Sequence, residues 1–475
     1  MSIRLQSLIS TVVVALVVVF VFEEWIYGRL NLAGQSYLIA KVASESFLYC
    51  LLLLLVADRL AQGKLAQYRP SYFDLVLFMF LALAALSTIL NDGSLMDGAL
   101  NVRTMLRFTS IYYIIVLSGW IPTERQLRQL ISVLVAIAIV QSILITSQHI
   151  AGDEFRDSFF AGVETKVEIY GIERTAGVME AKKGAGFGTF GKTPLAAFFL
   201  LLVATVCVAA AQCLSGTHRR KWWLAFGVIF VGILFTYKRA PLLLAVLIPV
   251  IVAWFAGNRQ FSRRYVIAVA IVVPVILLFL ITIRPAQYIK EKETQINPVE
   301  SFAQLFSSDY WTITATKARG WVILEVAEEA LGSFKPLGYG PDEDNAKSKL
   351  ATKGGEFSKL VGWGALDDVY IVACLVYYGP VGVVLLVLAF YYLYRQGILA
   401  SRLASNCQDR FLGVCLGSLL IVMLLSVFVV RLLEFRSFAF LFWTLAGIVV
   451  ATLQRPKQLF IKSTREYPSH TVIST

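Results

Sequence analysis

Between two long apolar runs the chain carries the stretch Phe235-Thr236-Tyr237-Lys238-Arg239-Ala240-Pro241. A single helix through residues 222–255 would be about 50 Å long at ~1.5 Å per residue, well beyond the ~30 Å hydrocarbon core of a membrane. The sequence therefore predicts two membrane helices joined by a very tight turn. Pro241 fits the first turn of the second helix, where a missing backbone N–H costs nothing. The turn places Lys238 and Arg239 at a helix N-terminus, which already favours an anion.

Composition extends this prediction to the whole chain. Of its 475 residues, 58% are hydrophobic and only 16% are charged. Long apolar runs of this kind indicate membrane helices, because backbone polar groups in lipid must be satisfied within the protein. The predicted fold class is an all-α polytopic membrane protein with about 12 transmembrane helices. The predicted spans are residues 7–22, 37–57, 72–90, 103–120, 128–149, 193–214, 222–237, 241–256, 265–283, 366–394, 409–430 and 437–453.

Positive charge predicts the orientation of these spans. Cations concentrate in alternate short loops, around residues 59–69, 125–128, 219–221, 259–264 and 395–410, and in the tail after residue 454. The positive-inside rule assigns these loops and both termini to the cytoplasm. The formal net charge of +12 is therefore a feature of topology and gives no reason to expect a nucleic-acid partner.

Two long loops lie on the opposite side in this topology, at residues 150–192 and 284–365, and we expect helical content in both. The chain then divides into residues 1–283 with helices 1–9 and the first loop, residues 284–365 as the large outer loop with amphipathic helices, and residues 366–475 with helices 10–12 and an inner tail. Within the large loop, residues 314–331 are predicted to be an amphipathic helix. Residues 338–341 are predicted to form a turn, and the acidic residues 342–344 are expected to be solvated.

The predicted outer side carries more cations than short outer loops usually do. Each could be an interfacial anchor or the partner of a nearby acid, but together they predict a basic outer cavity. Arginine suits bidentate phosphate contacts, so the expected ligand is a lipid-linked phosphate or pyrophosphate. The outer cations are Arg103, Arg107, Arg174, Lys182, Lys183, Lys192, Lys238, Arg239, Arg284, Arg319, Arg431 and Arg436.

Carboxylates near this predicted cavity are candidates for proton transfer. Asp367 and Asp368 immediately precede the tenth span. They could be helix caps favoured by the dipole, or a general base that acts on a substrate hydroxyl. Glu325 and His149 are weaker candidates for the same role.

One pattern resembles a nucleotide-binding motif. Residues 186–193 fit G-x-x-x-x-G-K-[ST], which in a P-loop follows a β-strand and opens a helix. Here a polar, lysine-bearing segment precedes the pattern and a membrane helix follows it, on the side away from cytosolic nucleotide. The sequence favours a flexible entry into a helix, with Lys192 near the outer cavity.

Several short stretches carry a resemblance to a known family: Gly188 to Ala196, Thr236 to Ala240, Arg319 to Trp321, Pro336 to Gly340, Asp368 to Ile371 and Tyr378 to Gly382. They resemble segments of the O-antigen ligase and Wzy-type polymerase superfamily of bacterial envelope polysaccharide synthesis. The predicted architecture is also similar. The ligases carry a histidine–asparagine pair where this chain has Asp367 and Asp368. An aspartate there is more like the exopolysaccharide and O-antigen polymerases.

The resemblance implies a metal-independent glycosyltransferase with no cofactor. It would polymerise polyprenyl-pyrophosphate-linked oligosaccharide units at the periplasmic face of the bacterial inner membrane. Arg239 and Arg319 would stabilise the leaving pyrophosphate, and Asp368 or Asp367 would act on the attacking hydroxyl. The partners implied are the lipid-linked donor, membrane lipid, a flippase and a chain-length regulator. Residues expected to bind substrate are Tyr237, Lys238, Arg174, Lys192, Arg284, Arg103, Arg107, Trp321 and Tyr370.

Alternative functions stay open. One is ligase-type transfer of glycan to a lipid or protein acceptor. Another is a lipid-linked sugar or polysaccharide transporter or flippase, against which the scarcity of acids in the spans and the absence of visible inverted repeats argue. A metal-dependent polyprenyl-phosphosugar transferase is less favoured, since the short first outer loop offers only Glu23 and Glu24.

Overall fold

The computed structural model describes residues 3–30, 32, 34–63, 70–159, 165–169, 172–176, 185–214, 219–258, 260–261, 263–265, 267, 328, 335–351, 369–404 and 406–454. Most of the ninth predicted span lies outside these residues. So does the predicted amphipathic helix at 314–331, apart from Glu328.

Helices dominate the part of the chain that is described. They are α1 (Ile3–Arg29), α2 (Gly34–Ala61), α3 (Tyr72–Leu90), α4 (Leu95–Met105), α5 (Thr109–Ser118), α6 (Glu124–Ala151), α7 (Asp153–Phe159), α8 (Thr193–Cys213), α9 (Arg219–Phe235), α10 (Arg239–Phe255), α11 (Glu343–Ala351), α12 (Tyr370–Leu403), α13 (Cys407–Ser426) and α14 (Arg436–Gln454). A short antiparallel hairpin pairs β1 (Thr165–Ile169) with β2 (Ile172–Ala176).

Eight of these helices are long and apolar enough to cross a membrane: α1, α2, α3, α6, α8, α12, α13 and α14. The prediction of an α-helical polytopic membrane protein is confirmed at this level. Helices α5 and α10 are apolar but shorter. With ten residues α5 is about 15 Å long, half the hydrocarbon thickness.

Helix α8 forms the centre of the bundle. Every residue from Ala196 to Ala211 is buried, whereas α3 and α12 each leave one face exposed. A membrane helix that is buried on all sides has protein neighbours all around it, and α8 packs against α6, α9, α10, α13 and α14. It therefore anchors the elements that carry the candidate site.

The helix ends separate into two groups. Contacts between Gln408 and the carbonyl of Pro122 (3.0 Å), and between Asn258 and Gln212 (3.1 Å), join α13, α6, α10 and α8 at one end of the bundle. The turn Thr236–Lys238 lies at the other end, which we call the hairpin end. Which side of the membrane each group faces stays a prediction from the loop charges.

The fourth predicted span is interrupted, contrary to the prediction of one helix over residues 103–120. Helices α4 and α5 are separated at Phe108, whose φ of 65° is left-handed. Its ring packs against Phe20 and Phe440, with centroids 4.7 and 5.8 Å away. Aromatic packing of this kind stabilises an otherwise strained backbone. The interruption leaves Arg103 on α4 and Arg107 in the turn.

The tenth predicted span is also interrupted, and it extends beyond the predicted end at residue 394. Helix α12 continues to Leu403, and it is broken at Gly379, which has a φ of 63° and a ψ of −176°. Pro380 follows and supplies no backbone N–H. Residues 370–378 and 380–403 are therefore two helical halves that meet at a bend.

A segment that we call the outer strap, residues 335–351, fills this bend. The amides of Tyr339 and Gly340 donate to the carbonyls of Val376 (2.7 Å) and Tyr377 (3.1 Å). The amide of Val381 donates to the carbonyl of Pro336 (3.2 Å). These bonds satisfy backbone groups that the broken helix leaves unpaired, as burial requires.

The outer strap also lies on the ends of α3 and α4. Ser87 donates to the carbonyl of Leu337 (2.6 Å), and Asn345 donates to the carbonyl of Asn91 (2.8 Å). Asp342 is buried and accepts the amide of Ser94 (2.8 Å). The expectation that Asp342 is solvated is therefore wrong, because its carboxylate bonds the first turn of α4. The predicted turn at residues 338–341 is confirmed, with positive φ at both glycines.

Candidate functional site

The turn Thr236–Lys238 is as tight as the sequence predicts. Tyr237 adopts a φ of 57°, a left-handed conformation that is unusual for a tyrosine. Its hydroxyl lies 3.1 Å from Nδ1 of His149, and the His149 ring stacks on Phe235 with centroids 4.4 Å apart. The end of α6 therefore fixes the turn through His149, a residue that the sequence offered only as a weak candidate base.

Arg239 begins α10, and Lys238 is its N-cap residue. Both side chains are partly exposed, and Pro241 lies in the first turn as predicted. The first backbone N–H groups of a helix have no partner within the helix, so this end favours negative charge. Two cations and a helix N-terminus thus share one small region, which is suited to an anionic group.

The glycine-rich segment at residues 186–192 packs beside the hairpin. The amide of Gly186 donates to the carbonyl of Phe235 (3.0 Å). Gln148 Oε1 accepts the amides of Phe187 and Gly188, each at 2.9 Å. The segment that precedes α8 is therefore in direct contact with the end of α9.

The backbone amides of the segment that fits the P-loop pattern are bonded to side chains of α6. Gln141 Oε1 accepts the amide of Thr189 (3.0 Å), so the amides of Phe187, Gly188 and Thr189 all bond to glutamine side chains. A P-loop needs such amides to cradle phosphates. Here they are already used to fix the segment against α6. Lys192, at the end of the segment, is exposed and precedes α8.

A buried network of charged side chains lies between α1, α2, the α4–α5 turn and the start of α14. Glu45 is only 3% exposed and pairs with Arg107 (3.0 Å) and Arg103 (3.5 Å). Arg107 also donates to the carbonyl of Glu434 (3.0 Å). Arg431 pairs with the Glu434 carboxylate at 2.8 Å.

A second buried pair completes this network. Arg436 and Glu23 are each 5% exposed, with Nε and Oε1 3.1 Å apart. Arg436 also donates to the carbonyl of Lys41 (2.7 Å) and stands over the ring of Phe20. Buried charges are stable only when they are paired and hydrogen-bonded. We call Glu23, Glu45, Arg103, Arg107, Arg431, Glu434 and Arg436 the ion network.

In the ion network, four of the predicted outer cations have an acidic partner: Arg103, Arg107, Arg431 and Arg436. Pairing with a nearby acid was the alternative to ligand binding that the sequence left open for each of them. Sequence reasoning missed Glu45, although a charge inside an apolar span was a signal for it. It also put Glu23 and Glu24 in a short loop, which is wrong, since α1 continues to Arg29. Glu24 pairs with Lys41 at 3.0 Å. Substrate binding by Arg103 and Arg107 stays a prediction.

Tyr370 is the first residue of α12 and is 6% exposed. Its hydroxyl has no hydrogen-bond partner among the described residues. The amide of the next residue, Ile371, donates to the carbonyl of Val427 at the end of α13 (3.2 Å). The start of α12 is therefore joined to the end of α13, four residues before Arg431.

The remaining predicted site residues lie on the β1–β2 hairpin or outside the described residues. The backbone of Arg174 lies on β2 opposite Val167. Arg284, Arg319, Trp321, Asp367 and Asp368 lie outside the described residues, and their roles stay predictions. Within the described ranges, no three His, Cys, Asp or Glu side chains are grouped so that they could hold a metal ion.

Comparison of the chain with models of known protein families and with curated proteins gave no match.

Proposed function

We propose that the chain is a membrane glycosyltransferase that joins polyprenyl-pyrophosphate-linked oligosaccharide units into a polysaccharide. The observation that carries this proposal is the hairpin. Lys238 and Arg239 lie at the N-terminus of α10, where the helix dipole adds to their positive field. A pyrophosphate held at the membrane surface is the ligand whose charge and location fit this arrangement.

The transfer needs no metal in this proposal. A sugar hydroxyl of one unit attacks the anomeric carbon of another, the bond from that carbon to the pyrophosphate oxygen breaks, and the hydroxyl proton passes to a base. Arg239, together with Arg319, offsets the charge that grows on the leaving pyrophosphate. Asp368 or Asp367 accepts the proton. No cofactor is required.

The buried contacts around the hairpin support this role for Arg239. The Tyr237–His149 contact and the Gly186–Phe235 bond fix the turn from two different elements. Preorganised cations stabilise a developing charge better than mobile ones, because they need no rearrangement during the reaction. The proposed site faces the periplasm of a bacterial inner membrane, where the predicted topology puts the hairpin end.

The testing experiment uses the purified chain in lipid vesicles with a lipid-linked repeat unit from its host. A ladder of lengthening glycans with release of polyprenyl pyrophosphate is expected. Glycan transfer that occurs only after a lipid or protein acceptor is added would show that the chain is a ligase and not a polymerase. The absence of any transfer, with the protein folded, would overturn the glycosyltransferase proposal.

A second candidate function is transport of a lipid-linked sugar, which the ion network favours. Glu23 and Glu45 are buried carboxylates on two membrane helices, and such residues often belong to ion or proton pathways. We rank it second because both acids are paired with arginines that could fix their charge. Translocation of a lipid-linked sugar without chain growth would favour it.

A further inference from the structure

The last turn of α6 places a titratable side chain against the hairpin. His149 lies in that turn, and its Nδ1 is 3.1 Å from the hydroxyl of Tyr237. Tyr237 directly precedes Lys238 and Arg239. Histidine is the side chain whose charge ordinarily changes between about pH 5 and 8. The hairpin therefore has a neighbour that can gain a positive charge in a range where the lysine and the arginine stay positive.

The contact with Tyr237 is compatible with both charge states of His149. In a neutral imidazole, Nδ1 accepts the tyrosine hydroxyl or, in the other tautomer, donates to its oxygen, and a protonated imidazole donates to the same oxygen. Tyr237 is only 7% exposed, and its φ of 57° sets the turn. A change of charge at His149 therefore changes the field at the hairpin and leaves the turn in place.

Two features of the surroundings accommodate the positive charge of a protonated His149. Its ring stacks on Phe235 with centroids 4.4 Å apart and planes 22° apart, and the face of an aromatic ring attracts a cation. The C-terminal turn of a helix, where His149 lies, carries negative partial charge. The side chain is half-buried, so that protons reach it from water. Both charge states therefore fit the site.

The charges of the hairpin give the direction of the effect. Lys238 and Arg239 oppose a third positive charge beside them, and an anion held by these two residues offsets that opposition. Protonation of His149 and anion binding at the hairpin therefore favour each other, and linkage makes the effect reciprocal.

Other charged groups lie on the elements that pack against this end of α6. Those with described side chains are Glu23, Glu24 and Arg29 of α1, Glu154 and Arg156 of α7, and Lys192 before α8. The two glutamates of α1 are ion-paired, and Arg156 donates to the carbonyl of Ala185 (3.2 Å). The other three are exposed. A substitution at His149 itself separates its charge from theirs.

We propose that His149 is a positioning residue of the hairpin, and that its protonation strengthens anion binding by Lys238 and Arg239. The inference rests on the proposed function for the anion site alone. An anion that binds there is accompanied by proton uptake at His149. Because the charged imidazole is present at low pH, the affinity of the hairpin for an anion rises as pH falls.

Titration with sulfate tests this coupling without any requirement for transfer. Sulfate keeps both negative charges in the range where histidine titrates, whereas phosphate and pyrophosphate change their own charge. The full chain, in nanodiscs of zwitterionic lipid at constant ionic strength, is titrated with sulfate in a calorimeter. We expect the affinity to rise about three- to tenfold from about pH 8 to about pH 5, the order that one added unit charge gives near water. An affinity that stays constant or falls would overturn the proposal.

A matched pair of histidine variants assigns the effect to one side chain. His149→Asn keeps an oxygen near the position of Nδ1 to accept the Tyr237 hydroxyl, and it carries no charge. Its sulfate affinity should equal that of the unsubstituted chain at about pH 8 and stay there as pH falls. His218→Asn, at a histidine that the predicted topology puts at the opposite end, should keep the full rise. A full rise in His149→Asn, or an equal loss of affinity at every pH, would contradict the proposal.

Arg239→Ala shows where sulfate binds. It should lower the affinity at every pH, because one of the two cations of the hairpin is lost. Unchanged sulfate binding by this variant would mean that the anion lies elsewhere, and it would overturn the proposal.

The two proposals can fail separately. A rise in sulfate affinity that depends on His149, without a glycan ladder, would retain the coupling and reject the glycosyltransferase. A glycan ladder from a chain whose sulfate affinity does not depend on His149 would retain the enzyme and reject the coupling.

Discussion

The backbone amide of Tyr339 donates to the carbonyl of Val376 across 2.7 Å, and this bond fixes the outer strap to α12 at its break. In the sequence, Tyr339 lies in a predicted turn of a long loop and Val376 lies in an apolar span, and neither segment indicates a contact with the other. Their contact means that the strap is part of the membrane bundle. Its sequence is therefore constrained by the shape of α12.

Gly379 tests this relationship. A Cβ atom at Gly379 would lie 2.3 Å from the carbonyl oxygen of Pro336, and the φ of 63° disfavours any side chain. We expect Gly379→Ala to lower the free energy of unfolding by about 1–3 kcal/mol, because the strained backbone and the overlap both act on the folded state. Thermal unfolding of the purified protein in detergent measures this.

Gly227→Ala is the control for that substitution. Gly227 lies in α9 and has nothing within 4 Å of an added Cβ, so alanine should leave the unfolding temperature unchanged or raise it. Equal unfolding temperatures for the two variants would mean that the strap does not pack tightly at Gly379.

Glu45 tests the ion network. Glu45→Gln removes the buried charge that Arg103 and Arg107 share, and it leaves two partly buried guanidinium groups without this counter-charge. We expect a loss of about 3–5 kcal/mol in the free energy of unfolding. Denaturation in detergent is the measurement.

Glu124→Gln is the matched control, since Glu124 pairs with Arg128 at the opposite end of the bundle. Both side chains there are more than 60% exposed, at 67% and 72%. Exposed pairs of this kind contribute only about 0–1 kcal/mol. If both variants lost the same small amount, Glu45 would not be a buried counter-charge.

Thiol labelling tests the predicted orientation. Cys407 is exposed at the start of α13, and Ser348 is exposed on α11. In a chain whose other cysteines are replaced by alanine, a charged, membrane-impermeant reagent should reach Cys407 only after the cells are opened. In a second chain, with Ser348→Cys as the single thiol, it should react with intact spheroplasts. The reverse pattern would invert the predicted topology and contradict the proposal that the site faces the periplasm.

The sequence predicted much of this fold because membrane helices are set by local properties. Apolar length predicted the eight described helices that are long enough to cross a membrane, and the stretch around Lys238 predicted the turn, since no straight helix could include it. Loop charges predicted which helix ends face the cytoplasm, and that orientation stays a prediction.

The breaks at Phe108 and Gly379 were not predicted, because each depends on distant partners. Phe108 is stabilised by Phe20 and Phe440, and Gly379 by the outer strap. Neither set of partners is visible in the local hydropathy. Pro380 was a signal for the second break, but a proline within a membrane helix is also compatible with a mild kink.

The candidate site was predicted in part for a similar reason. The hairpin cations were selected because they are positively charged and lie on the predicted outer side. Whether a cation is paired with an acid depends on three-dimensional packing, which the sequence does not show. In sequence, Arg103 and Arg436 look like cations that a ligand could bind, yet each has a buried glutamate within 3.5 Å. Spacing along the chain could not assign Glu23 to Arg436, because the two residues come from opposite ends of the sequence.

The most direct test of the account measures glycan chain growth by Arg239 variants in the vesicle assay with a lipid-linked repeat unit. We predict that Arg239→Ala lowers the rate about 10²–10³-fold, because a preorganised cation is lost from the leaving pyrophosphate. Arg239→Lys should keep part of the rate, and Arg128→Ala, an exposed residue at the opposite end, should keep all of it. A normal glycan ladder from inserted, folded Arg239→Ala protein would contradict the role of the hairpin.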